Sequence, residues 1–499
     1  MTGPVPMETT AETVGAGEVG ARILNATTLT SHGNRAGRQA VVEILEAGLQ
    51  AADPYRGVLD LVRVEGSRLV VGRPDLTPVG DGRGEEVLDL DSVGRILVVG
   101  AGKGVQRAAR ALEDVLGGRL SGGHVIAKHG DDLLCRRIGV TFGAHPVPDE
   151  GCVEGSKAIL EACRGLTERD LVFTIGGSGI SSLLTLPARG ITLDEVRQLT
   201  YRMQVEKGVP TSDLNRVRNH VDAVKGGKIS RSFRPARVIH LVAKETSTYD
   251  YFADGRCFIH FFPDRSTFAD AREVLQRWQA WDEVAPSIRA HLTAADAAEE
   301  VMQPAEYAAD GARVFCLISR ERGMLPSAEA KARELGIRPY RLAGHLQAEA
   351  REAGLVTADI ALSVAREGLP FEPPCVLLSG GELLVTVGRE TGMGGRNQEF
   401  ALAAATRIAR EERVVVGAVD SDGTDGPGGQ FSDGGVDIPC LGGGVVDGET
   451  ASEGKALGVD LFEVLRQHDT SPALWKLRSG VLMTHGVSLL DLRVALVMS

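Results

Sequence analysis

No apolar run in the sequence approaches the roughly 18 residues that a membrane helix needs. Residues 1–35 carry no basic segment followed by an apolar stretch, so neither a membrane partner nor a secretory signal is expected. Cysteine is sparse and scattered: seven residues (Cys135, Cys152, Cys163, Cys257, Cys316, Cys375 and Cys440) include no C-x-x-C pair. That pattern excludes a zinc ribbon or a disulfide framework and fits the reducing cytoplasm. Excess positive charge is also missing. A formal net charge of −12 argues against nucleic acid or an anionic membrane as the main partner. A small anionic partner stays compatible, provided that Lys, Arg and backbone N–H groups are gathered locally.

What is present is a composition of 43% hydrophobic and 24% charged residues, ordinary for a globular chain. At 499 residues the chain exceeds one core, so two domains are expected. The divisions read as a loose leader over 1–35, a first α/β domain over 36–295 and a second over 296–499.

Asp170-Leu-Val-Phe-Thr-Ile175 is a short apolar, β-branched run that suits a buried strand. It opens into Gly176-Gly-Ser-Gly179 with Ser181 and Ser182 beyond. Such a loop brings N–H and hydroxyl donors close to a phosphate or carboxylate, and it equally forms a plain tight turn. Arg95-Ile-Leu-Val-Val99 is a second strand candidate, followed by Gly100-Ala-Gly-Lys-Gly104 and a helical run through Leu116. This loop is neither a P-loop nor a dinucleotide fingerprint, because Val105 stands where the third glycine of the latter belongs. Lys103 at a helix start is disfavoured by the helix dipole unless an anion shares the site. His145, in His-Pro-Val-Pro-Asp149, reads as structural.

Thr192 and Glu195 form a capping box opening a helix. If Asp213 to Lys228 is helical, Asn215, Arg218, Asp222 and Lys225 share one stripe, which is either an anion site or a solvated face. Beyond residue 296 the segments 313–318, 327–335, 338–343 and 345–353 alternate as β-α-β-α, which favours parallel strands. Cys375 to Leu378 and Leu383 to Val387 read as further strands. Arg396 begins an alanine-rich helix, where its planar fork could meet an anion. Val414 to Val419 runs into Asp420-Ser-Asp-Gly-Thr-Asp-Gly-Pro427, whose carboxylates suit Mg²⁺ or an aspartate-rich turn.

Together these stretches resemble the class II glycerate 2-kinases, a family whose C-terminal half is called MOFRL and whose members also bear the name hydroxypyruvate reductase. The motifs are Gly100 to Gly104, Ala144 to Asp149, Gly176 to Pro187, Asn215 to Arg218 with Lys225 to Lys228, Ser379 to Glu382, Gly394 to Glu399 and Ser421 to Pro427. The resemblance implies two layered α/β domains, Rossmann-like and smaller MOFRL-type, with the active site in the cleft between them. It implies Lys103 and Arg396 as catalytic residues. Gly176, Gly177, Ser178, Gly179, Ser181, Asn215, Arg218, Lys225 and Glu382 are then expected to bind substrate or phosphate, and Asp422 and Asp425 a metal.

Phosphoryl transfer from ATP, with Mg²⁺, to D-glycerate or a related sugar acid is the implied reaction. A homodimer is left open. Three loops depart from the family's pattern: Ala243 to Asp250, His260-Phe-Phe-Pro263 and Thr484 to Leu490. Two other readings therefore stand beside the kinase: an ATP-independent isomerase or hydroxypyruvate reductase-like enzyme, and a non-catalytic ligand-binding protein.

Overall fold

The computed structural model describes residues 20–73, 84–245, 248–319, 321–426, 431–433, 435–486 and 489–499. Most of the expected leader, and Thr246, Ser247, Pro427, Val487 and Ser488 of the loops discussed above, lie outside them.

Six short apolar runs become the strands β1 (Ile96–Ala101), β2 (Gly122–Lys128), β3 (Gly139–Gly143), β4 (Leu171–Gly176), β5 (Arg237–Glu245) and β6 (Arg313–Ile318). β1 and β4 are buried along their whole length, as expected of parallel strands covered on both faces. Separate apolar layers do the covering: Val98, Phe173 and Leu241 face one, Val99, Val172 and Val242 the other. All neighbouring pairs are parallel, in the order β3-β2-β1-β4-β5-β6. The winding reverses between β1 and β4, and that reversal opens a crevice at their carboxyl ends. Both glycine loops leave from this point.

The second sheet contains β7 (Arg338–Ala343), β8 (Cys375–Gly381), β9 (Val414–Asp420), β10 (Gly443–Asp447), β11 (Gly480–Val481) and β12 (Asp491–Val497). Its order is β7-β8-β12-β9-β10-β11. Only β7 and β8 are parallel; the other pairs are antiparallel, contrary to the expected parallel sheet. The last strand, β12, inserts between β8 and β9, and hydrophobic periodicity carries no information about the direction of a partner so distant in sequence. Leu383 to Val387 forms no strand: Leu384 makes one isolated bridge to Glu349 and is 50% exposed. The helix expected from His345 begins only at Ala350 and runs to Glu367.

The two bodies also exchange elements across the expected boundary. The helix Arg35–Ala51, expected to open the first domain, packs Val41, Leu45 and Leu49 with Val415, Leu492 and Leu496 of the second sheet. β6, expected to open the second domain, instead completes the first sheet beside β5. Both segments have the right local pattern, and only the partner surface decides which body each one covers.

The exchanged helix is fastened by Arg38, whose Nε donates to Asp447 Oδ2 at 2.5 Å with both side chains buried. Asp447→Ala leaves the guanidinium uncompensated, and a cost of about 3–5 kcal/mol is expected. The urea unfolding midpoint measures it; a midpoint equal to that of the parent chain would refute the assignment.

Candidate functional site

Two loops at the winding reversal form one wall of a cleft. Lys103 N donates to Ser178 O at 2.8 Å, which joins the β1 loop to the β4 loop. Gly179 has φ of +81°, and a Cβ there would lie 3.2 Å from His145 Cδ2 and 3.3 Å from Lys103 Cγ. Glycine at this position therefore allows the turn and lets the side chains of His145 and Lys103 lie across the loop. Gly176 and Gly177 are buried behind it, and Ser178 lies on its exposed side.

The second sheet supplies the opposite wall. Lys103 Nζ reaches Asp422 Oδ2 at 2.6 Å, beyond the end of β9. Burial weakens the ammonium, but the charge and hydrogen bond of Asp422 outweigh it and raise its pKa. Burial likewise opposes ionisation of Asp422, yet Lys103 holds its carboxyl below the usual range. Asp422 N donates to Asp420 Oδ1 at 3.0 Å, and Arg396 donates to Asp420 Oδ2 at 2.7 Å. The Arg396 fork also holds Asp491, with Nε to Oδ2 at 2.8 Å, and lies 3.4 Å from the exposed Glu382. Burial and the neighbouring Asp422 and Asp491 push the Asp420 carboxyl well above its ordinary pKa. The two cations expected to be catalytic thus come from different bodies and meet through a single string of carboxylates.

Asp425 has a different place. Its carboxylate accepts from Asn397 N at 3.0 Å and Gln398 N at 2.8 Å, capping the helix Arg396–Arg407 and setting Arg396 at the helix start. Its oxygens are taken by the helix end, contrary to the expected role as a metal ligand. Among the described residues, no three His, Cys, Asp or Glu side chains converge to hold a metal.

A smaller polar pocket adjoins the first wall, lined by Pro148, Ser181, Arg218 and Lys225 among others. The expected single helical stripe is not formed, because the helix Thr211–His220 ends before Asp222. Lys225 lies in the turn that follows, where its Nζ is bound by Asp222 at 2.6 Å and Thr185 at 2.8 Å, so it acts as a buried strut. Arg218 is 7% exposed and donates to Gln204 Oε1 at 3.0 Å; burial brings its pKa down to about 10. Asn215 is 1% exposed, and neither its Nδ2 nor its Oδ1 has a partner. A buried amide left unsatisfied in this way is costly, and a bound polar ligand is one means of satisfying it.

Sequence reasoning missed Asp491 and His260. Asp491 belongs to no motif, although a strand carrying both Asp491 and Arg493 among apolar residues was a usable signal. His260 lies within hydrogen-bond distance of Ser181 Oγ, 2.8 Å, from a loop singled out only as divergent.

A doubly wound parallel sheet facing a second, mostly antiparallel α/β body, with Lys103 and Arg396 at the junction, defines a two-part α/β protein. Residues 40–293 match a domain of unknown function (DUF4147), and residues 375–490 match the MOFRL family. A glycerate 2-kinase of Pyrococcus horikoshii is 33% identical over 453 residues, covering 90% of this chain and 94% of that protein. A D-glycerate 2-kinase of Thermotoga maritima is 32% identical, covering 81% and 90%. The crystal structure of a Thermotoga maritima glycerate kinase superposes with a TM-score of 0.70 at 28% identity, covering 92% of this chain and 99% of that one. The name hydroxypyruvate reductase also occurs among the relatives. The chain belongs to the glycerate 2-kinase family of two-part DUF4147 and MOFRL enzymes.

Burial and the nearby Asp491 push the Asp425 carboxyl from 3.8 up to about 7. Between those values the folded chain binds more protons than the unfolded one, so this group makes stability fall as pH rises. Asp425→Asn, whose amide oxygen can still cap the helix, should remove a decline on the order of 2–4 kcal/mol. Urea midpoints at pH 5 and pH 8 test this; an identical decline in both proteins would disprove it.

Proposed function

We propose that this enzyme transfers the γ-phosphoryl group of ATP to a hydroxyl of D-glycerate or a closely related small hydroxy acid. The observation that carries the reading is the convergence of Lys103 and Arg396, one from each body, on the cleft at the winding reversal. Phosphoryl transfer spreads negative charge over the equatorial oxygens of the moving group, and fixed cations on both sides stabilise that charge. The hydroxyl oxygen forms a bond to the γ-phosphorus as the bond from that phosphorus to the bridging oxygen breaks, and ADP leaves. Lys103 and Arg396 exchange protein carboxylates for phosphoryl oxygens as the substrates enter. The glycerate carboxylate is assigned to Arg218, Ser181 and the unsatisfied amide of Asn215, with the glycine loop presenting its N–H groups to the phosphoryl group.

The donors near Lys103 suit Mg²⁺ in kind: Asp422 and Asp420 offer hard oxygens from one strand end, and this ion needs only one or two carboxylates beside phosphate and water. Bound there, Mg²⁺ would offset charge on the β- and γ-phosphates. Asp425 is not included in this assignment.

The divergent loop at His260 to Pro263 does not favour the ATP-independent readings. Phe261 and Phe262 are each 1% exposed and stack around the ring of His240, so the replaced residues build core behind the glycine loop.

ADP release with Mg²⁺-ATP and D-glycerate is the direct measurement. Turnover is expected, with Lys103→Ala and Arg396→Ala each lowering kcat by about 10²–10³-fold. A folded protein that releases no ADP with any small hydroxy acid would defeat the kinase reading in favour of an ATP-independent reaction or a binding role.

A further inference from the structure

We propose that His145 is the catalytic base of this cleft, taking the proton of the substrate hydroxyl as it attacks the γ-phosphorus. The inference rests on the phosphoryl-transfer reading and adds to it the group that receives the proton.

The His145 ring lies across Gly179: a Cβ built there would be 3.2 Å from its Cδ2 and 3.6 Å from its Nε2, with Lys103 Cγ at 3.3 Å on the same glycine. His145 is therefore side by side with the lysine assigned to the phosphoryl group. Pro148 of the same segment lines the pocket of Ser181 and Arg218, which is assigned to the carboxylate. A 2-hydroxy acid bridging those two sites brings its hydroxyl to the segment that carries His145.

The segment is held in place. Ala144 N donates to Asp149 Oδ1 at 3.0 Å, and Ala144 O accepts from Ser182 Oγ at 2.9 Å. The ring itself is half-buried and, among the described residues, makes no hydrogen bond, so a nitrogen is available to a ligand.

Other acceptors around the cleft have roles of their own. Asp422 and Asp420 are bound to Lys103 and Arg396 and are assigned to Mg²⁺ once those cations turn to the phosphoryl group, while Asp491 and Glu382 stay beside Arg396. His260 is enclosed and bonded to Ser181.

Charge supports the assignment. Burial, then Lys103 and Lys128, bring the His145 pKa down to about 4; Asp422 opposes them and Arg218 adds to them. The imidazole therefore rests neutral, able to accept a proton. Binding of anionic phosphate and carboxylate groups offsets those cations and strengthens the base when it is needed. A loose phosphoryl-transfer transition state places only a late demand on that base. The proton moves from the hydroxyl to the imidazole, the new O–P bond forms, ADP departs with the electron pair of the broken bond, and the proton is released to water after product leaves.

Steady-state kinetics of His145→Gln provide the test, together with calorimetric titration of Mg²⁺-ATP and D-glycerate. Expected are a fall in kcat of about 10²–10⁴-fold, KM values and binding constants within a few-fold of the parent, and partial recovery of His145→Ala turnover by added imidazole. A parent enzyme that turns over while His145→Gln keeps its kcat overturns the assignment alone. Loss of ligand binding in His145→Gln, or no recovery with imidazole, would make the residue a positioning or structural one and also overturn it. A parent chain inactive with ATP and every hydroxy acid overturns the phosphoryl-transfer reading and this assignment with it.

Discussion

A string of polar contacts runs from one body into the other: the Lys103–Asp422 ion pair crosses between them, Asp422 N donates to the Asp420 carboxyl, and the Arg396 fork pairs with Asp420 and Asp491. Most of these groups are buried or nearly so, and each would be costly if left without its partner. Lys103 and Arg396 are therefore held charged and in fixed positions by protein carboxylates, which the proposed reaction replaces with phosphoryl oxygens. The same contacts preorganise the site and join the bodies.

The sheet winding decides where this string can form. Because the order reverses between β1 and β4, their carboxyl ends leave a gap that two glycine loops occupy. On the other side β9 and β12 lie side by side, which brings Asp420 opposite Asp491. Arg396 reaches both because Asp425 caps its helix, so a residue expected to hold a metal instead fixes a cation. The polar residues of the cleft thus divide into those assigned to a ligand and those whose polar groups are taken up within the protein. Lys225 and Asp425 belong to the second group.

Divergent loops have a comparable explanation. In the loop at residues 260–263, Phe262 packs with His240, Phe252 and Tyr307, and Phe261 with Phe233 and His240, behind the glycine loop. His260 beside them touches Ser181, so this aromatic wall supports the loop from its far side. The first wall is stiffened by apolar contact where the second is stiffened by charge.

Local pattern determined a good deal of this. Short β-branched runs, leading into glycine or aspartate loops, located β1, β4 and β9, the Thr192–Glu195 capping box opened its helix as read, and the ordered motifs carried the family. These signals are legible because strand burial, loop conformation and caps depend on neighbours within a few residues. Tertiary structure alone decided the rest: the antiparallel insertion of β12, the exchange of the Arg35–Ala51 helix and β6 between bodies, the pairing of Arg396 with Asp491, and the division between Asp422 in the cleft and Asp425 at a helix end. Each of those depends on contacts between residues far apart in the chain, and identical side chains spaced three apart acquire different roles only when a distant cation or helix end reaches one of them.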